Sequence, residues 1–259
     1  MPVVTVDGAR VPYRLEGSGP ALVLVHGTGA GSVTWESSLG HFTGRHTVVL
    51  PDLSGSDAAE DDGGELTVEL LAAQLAAVVE DLGRGPVDVL GYSLGAPVVA
   101  LLAAEHPELV RRLITLSGWC GPEDPYIQNG LAVWRTMADN PTAFARYAMV
   151  AGFGRPYLNS LDREAVEKLA TRMQPSANLL RQIDADLKMD IRAALPRIQA
   201  KALVIGCTLD ALIPVENSRE LAARIPHGRF AELESGHVAR DERPAELAEL
   251  VEEFLDEAA

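Results

Sequence analysis

The chain has 259 residues, of which 47% are hydrophobic and 23% charged. These are values for a globular chain that buries a full core without metal or disulfide staples. Its 22 basic and 37 acidic side chains give a net charge of −15, which opposes long-range attraction to nucleic acid or an anionic membrane surface.

In chain order, residues 3–6 and 11–16 read as antiparallel strands joined by an Asp7-Gly8 turn. Runs at 21–26, 46–50, 87–92, 113–117 and 202–207 are rich in Val, Leu and Ile and barely alternate. That is the pattern of strands covered on both faces, as in a parallel sheet. A weaker last strand is expected at 229–234. Thr67 caps a helix with Val68, Leu71, Leu75, Val78, Val79 and Leu82 at helical spacing, and Gly83 stops it. The last helix begins near Pro244 and buries Leu247, Leu250, Val251, Phe254 and Leu255. The alternation predicts an α/β fold: a mostly parallel, doubly wound sheet of about eight strands with helices on both faces.

No strand signal appears between Trp119 and Leu195. Helices are expected near 127–138, 142–151, 162–173 and 176–187, punctuated by Pro141, Pro156 and Pro175. Residues 1–118 and 196–259 therefore read as one core domain, and 119–195 as an all-helical lid over the strand ends. Trp119, Trp134, Phe144 and Tyr147 in this insertion are the candidate substrate-contacting residues, with Phe153 and Met149 in the same apolar set. The N-terminus shows no basic region followed by an apolar one, and the densest apolar stretch, 97–104, is too short to span a bilayer. A cytoplasmic location without a membrane span is the expectation, and a homodimer is compatible with it. Cys120 and Cys207 form neither a disulfide framework nor a metal-ligand pair, and they read as small packing residues.

Gly91-Tyr92-Ser93-Leu94-Gly95 fits G-x-S-x-G, and it lies between a predicted strand and an apolar helix with Pro97 in its first turn. That context marks a nucleophile elbow. A serine hydroxyl needs a base, and the base needs an orienting acid. His237 follows the 229–234 strand, and Asp210 follows the 202–207 strand. Both stand at carboxyl ends of strands, where open α/β sheets place their sites. Glu123 and Asp124 are the nearest rival acids. The oxyanion of an acyl-transfer intermediate needs donors. Leu94 N–H is one candidate. Thr28 N–H, in the loop His26-Gly27-Thr28-Gly29-Ala30-Gly31-Ser32, is the other, with Gly29 N–H as fallback. That loop has neither the Gly-Lys-Ser/Thr ending nor the G-x-G-x-x-G spacing of a phosphate cradle.

On Leu24-Val25-His26-Gly27, the turn Pro51-Asp52-Leu53-Ser54-Gly55-Ser56, the elbow around Ser93, Asp210 with Pro214, and Gly236-His237, the chain resembles the α/β-hydrolase fold superfamily over essentially its full length. The elbow is similar to that of small serine esterases and enol-lactone hydrolases. The resemblance implies a serine hydrolase cleaving a carboxylic ester or lactone with an apolar acyl part, through an acyl-enzyme on Ser93. Its base would be His237 and its orienting acid Asp210, with no metal and no cofactor. Alternatives are C–C hydrolysis of a β-diketone-like substrate, a biosynthetic cyclase or perhydrolase, and a ligand-binding member of the fold. The turn after the fourth strand, Leu53-Ser54-Gly55-Ser56, and the residues after His237, Val238-Ala239-Arg240, depart from the usual family pattern. A C–C hydrolase acting on a carboxylate-bearing substrate asks for a buried arginine, and Arg146, among Phe144, Ala145 and Tyr147, is the candidate.

Overall fold

The computed structural model describes residues 1–29 and 31–257. Eight strands form one sheet: β1 (Val3–Val6), β2 (Ala9–Gly17), β3 (Ala21–Val25), β4 (Thr47–Pro51), β5 (Val87–Tyr92), β6 (Val110–Leu116), β7 (Lys201–Cys207) and β8 (Gly228–Leu233). Their spatial order is β1-β2-β4-β3-β5-β6-β7-β8. Only β1 and β2 pair antiparallel to their neighbours; the rest are parallel. The α-helices among the described residues are α1 (Glu36–Leu39), α2 (Val68–Leu82), α3 (Gly95–Glu105), α4 (Pro125–Thr136), α5 (Pro141–Gly152), α6 (Arg155–Ser160), α7 (Arg163–Arg172), α8 (Ala177–Lys188), α9 (Val215–Arg224), α10 (Ala239–Glu242) and α11 (Pro244–Asp256).

The period-2 pleat divides the strand residues between two apolar layers. Val23 and Val25 of β3, Val89 of β5 and Val204 of β7 pack with α2, α3 and α9. Leu22, Leu24, Leu90 and Ile205 pack with Trp35, Leu39 and Phe42 on one side of the sheet and with Leu247, Val251 and Phe254 of α11. This is why these strands read as continuous apolar runs: both faces are buried.

The helix ends follow their sequence signals. Thr67 accepts the Leu70 N–H, and Gly83 closes α2 in the left-handed region at φ +60. Strand β6 starts at Val110, ahead of the expected 113, because Arg111 and Arg112 belong to it. Both arginines are accommodated by partners. Arg111 binds the buried Asp88 carboxylate, and the buried Arg112 donates to the carbonyls of Phe254 and Glu257. Helices α6 and α9 are additional to the helices expected above; α9 buries Val215, Ser218, Leu221 and Ala222 on one face.

Between β6 and β7 the described residues form helices α4 to α8 and no strand. The parallel register aligns the strand ends: Val25 is opposite Gly91, Tyr92 opposite Leu116, and Cys207 opposite Leu233. The loops that leave β3, β5, β7 and β8 therefore emerge along one edge of the sheet, next to the inserted helices.

Candidate active site

Ser93 sits between β5 and α3 with φ +54, a left-handed conformation that an L residue adopts at a cost of about 1–3 kcal/mol. Its N–H donates to Leu116 O at 3.0 Å, and its carbonyl accepts Ala96 N–H at 2.8 Å. The two motif glycines serve close approach. A Cβ at Gly91 would stand 2.1 Å from the Gly95 carbonyl oxygen, and one at Gly95 would stand 2.6 Å from those of Val25 and His26. The turn thus presses the first turn of α3 against the end of β3. The N-terminus of α3, with its partial positive charge, lies beside the serine.

His237 Nε2 lies 2.9 Å from Ser93 Oγ, and His237 Nδ1 lies 2.7 Å from Asp210 Oδ2. The other Asp210 oxygen accepts the Leu212 and Ile213 N–H groups at 2.9 and 2.8 Å. Those two bonds fix the carboxylate so that one oxygen remains for the imidazole. All three side chains are buried. The Tyr92 ring packs 5.1 Å from the His237 ring, and the Arg240 guanidinium lies 4.4 Å from the centre of the Tyr92 ring. The rival acids are engaged elsewhere. Asp124 caps α4 through Tyr126 N–H and accepts from Asn217 Nδ2, and Glu123 pairs with Arg192.

The loop after β3 reaches the same place. Buried His26 accepts Leu53 N–H on Nε2 at 3.1 Å, which puts its proton on Nδ1, 2.8 Å from Gly27 O. Burial lowers its pKa and holds the ring neutral. Gly29 N–H donates to Gln182 Oε1 at 2.8 Å, so the fallback oxyanion donor is already committed. The Thr28 and Leu94 N–H groups have no acceptor among the described residues. Ala30 of this loop lies outside the described residues.

Ser93 and His237 open onto a cavity of about 800 Å³ between the strand ends and the inserted helices. Trp119, Trp134 and Phe144 line it. Tyr147 does not. Helix α5 turns Phe144, Ala148 and Gly152, each four residues apart, toward the cavity, and the Tyr147 hydroxyl instead donates to Gly130 O on α4. Arg146 is not a cavity residue either; it is partly exposed and paired with Glu167 at 2.6 Å. Sequence reasoning missed Asp186 and Gln182 on α8 and Arg240 after β8. The available signal was two polar residues four apart, Gln182 and Asp186, flanking the apolar Ile183 of an amphipathic helix. Among the described residues, no group of three or more His, Cys, Asp or Glu could hold a metal ion, and no helix is long and apolar enough to cross a membrane.

A parallel sheet, a strained serine between strand and helix, and a late Asp and His at strand ends define a class of α/β enzyme rather than a single protein. Residues 22–250 match the alpha/beta hydrolase family, and the chain belongs to that family. It is 35% identical over 257 residues, covering 97% of each chain, to a pyrrolizixenacetamide deacetylase of Xenorhabdus hominickii. Its fold superposes with a TM-score of 0.91 on an alpha/beta hydrolase enzyme from a Medee basin deep-sea metagenome library, at 17% identity over 100% of this chain and 98% of the other. The enol-lactonase from Burkholderia xenovorans shares the fold at TM-score 0.85 and 22% identity, over 99% of this chain and 100% of the other.

Proposed function

We propose that this protein is a serine hydrolase that cleaves an uncharged carboxylic ester or lactone with an apolar acyl part. The observation that carries the reading is the continuous hydrogen-bonded chain Ser93–His237–Asp210 opening onto a largely apolar cavity. Ser93 Oγ attacks the acyl carbon as His237 Nε2 takes its proton. Asp210 holds the Nδ1–H tautomer and stabilises the imidazolium. The Thr28 and Leu94 N–H groups receive the negative charge that develops on the carbonyl oxygen. Collapse of the intermediate breaks the acyl–oxygen bond, and the imidazolium returns its proton to the departing alkoxide. Water then repeats the sequence on the acyl-enzyme and restores Ser93.

Residues 119–195 act as a lid in this reading. The cavity walls they supply, Trp119, Leu131, Trp134 and Phe144, exclude water from the acyl group. A second reading, cleavage of a small amide, is favoured by the full-length relative named a deacetylase. It uses the same groups, with His237 protonating a departing nitrogen.

The test is labelling of purified protein by a fluorophosphonate, with turnover of p-nitrophenyl acetate and p-nitroacetanilide measured in parallel. The expected result is one covalent adduct on Ser93 and faster ester than anilide turnover. Faster anilide turnover selects the second reading. Absence of both labelling and turnover overturns the hydrolase assignment.

A further inference from the structure

Asp186 is the one acidic side chain of α8 that is buried, at 2% exposure. It lines the same cavity as Ser93 and His237. Its Oδ2 accepts the Thr28 hydroxyl at 2.7 Å, and its Oδ1 is buried without a partner among the described residues. One turn earlier on the same helix, Gln182 accepts Gly29 N–H through Oε1 and donates from Nε2 to Ser54 O at 3.3 Å. Two side chains of one inserted helix thus grip two consecutive residues of the loop after β3, 158 and 153 positions away in sequence.

A lone buried carboxylate is expensive unless it is paired or protonated. The charged groups around α8 offer no pairing. Arg181 is taken by Asp61, Lys188 by Glu65, and Arg135 of α4 by Asp184. Among the other cavity residues, Arg240 is held by Thr34 O and packs on Tyr92, and Glu36, Asp57 and Asp241 carry the same sign as Asp186. Arg172 is exposed at the end of α7, and His237 is engaged by Ser93 and Asp210.

We infer that Asp186 is a positioning residue, held as the neutral acid, which sets the Thr28 N–H for the oxyanion and makes the oxyanion site depend on the inserted helix α8. The inference rests on the proposed role of Thr28 in acyl transfer. Burial pushes the Asp186 carboxyl up to about 8, with the Thr28 hydroxyl the one opposing influence. Ionisation would place a negative charge beside the developing oxyanion, in a low-dielectric site where repulsion is strong.

The experiment compares wild type, Asp186→Asn and Asp186→Leu with p-nitrophenyl acetate from pH 6 to pH 10, after circular dichroism and fluorophosphonate labelling of each protein. Labelling of the wild type separates this inference from the hydrolase reading, since its absence defeats that reading first. With labelling present, wild-type kcat falls through an alkaline limb near pH 8. Asp186→Asn, which keeps shape and acceptor but cannot ionise, loses that limb. Asp186→Leu lowers kcat by tenfold or more while KM changes less than about threefold. An alkaline limb that persists in Asp186→Asn overturns the inference, as does wild-type kcat in a folded Asp186→Leu.

Discussion

A Cβ placed on Gly27 would stand 2.8 Å from the Cβ of Ser93. The loop after β3 and the serine turn are therefore in direct backbone-to-side-chain contact, and the Tyr92 ring closes the same gap at 3.1 Å. Gly27→Ala must displace one of them. The expected outcome is a loss of about 1–3 kcal/mol of stability from overpacking, read as a lower Tm. A fall of about tenfold or more in kcat, the equivalent of roughly 1.4 kcal/mol of transition-state stabilisation, accompanies it. Unchanged kcat would show that Thr28 and Ser93 move independently.

Ser93→Ala tests the nucleophile with little structural disturbance, because the hydroxyl touches His237 and the backbone turn remains. A loss on the order of 10⁴–10⁶ in kcat is expected, with the labelling adduct gone and the Tm little changed. More than about a tenth of wild-type activity in the purified variant would exclude Ser93.

Asp210→Asn and Asp124→Asn separate the acid from its sequence rival. Asp210 carries both the imidazole bond and two backbone N–H bonds, so the amide keeps the fold and spoils the tautomer. A drop on the order of 10³–10⁴ in kcat is expected. Asp124 caps α4 and binds Asn217. Its replacement is expected to shift the Tm slightly, because Asn also caps well, and to leave the rate within about twofold.

The strand ends that carry these residues were legible because each is an apolar run stopped by glycine or a polar turn, and because the order Ser, Asp, His survives without any contact information. The same reasoning passed over Asp186, whose only sequence signal is its spacing of four from Gln182 on an amphipathic helix. Its partner is the Thr28 hydroxyl, on a loop that helix periodicity does not report. Tyr147 was misplaced for a related reason: composition identified an aromatic helix, but the face that meets the cavity is set by Phe144, Ala148 and Gly152. The start of β6 was not legible because Arg111 and Arg112 interrupt the apolar run, and only the fold supplies Asp88 for the first and the Phe254 and Glu257 carbonyls for the second.

Asp186 also has a signature in stability. Its native pKa, about 8, lies above the unfolded value of about 3.9. Between those values the native state holds a proton that the unfolded state has released. Stability is therefore present in full below about pH 4 and is lost as pH rises toward 8. Asp186→Asn has no such titration. The variant is expected to be more stable than wild type at pH 8, by an amount on the order of a few kcal/mol, with the difference shrinking toward pH 4. Thermal unfolding across that range measures it, and a Tm difference independent of pH would show that Asp186 is ionised in the native protein.

The charge around the cavity decides between an ester or lactone and a carboxylate-bearing C–C substrate. Glu36, Asp57, Asp186 and Asp241 line it together with Arg172 and Arg240. Arg172 is exposed, and Arg240 is buried with its Nε on Thr34 O, its guanidinium on the Tyr92 ring and beside Asp241, and its Nη1 without a partner among the described residues, so Arg240 is the lining arginine that a substrate carboxylate would have to use. Arg146 is spent on Glu167 at the surface, a pair worth about 0–1 kcal/mol. Arg146→Leu is therefore expected to change kcat/KM by less than about tenfold, or roughly 1.4 kcal/mol. An uncharged aryl ester is expected to be hydrolysed faster than the same ester bearing a carboxylate on its acyl chain, because the added charge would be desolvated in a cavity where Glu36, Asp57 and Asp241 oppose it and Arg240 already faces Asp241. Faster turnover of a vinylogous diketone than of any ester, with a larger loss in Arg146→Leu confined to carboxylate-bearing substrates, would move the reaction to C–C cleavage while leaving Ser93, His237 and Asp210 in their places.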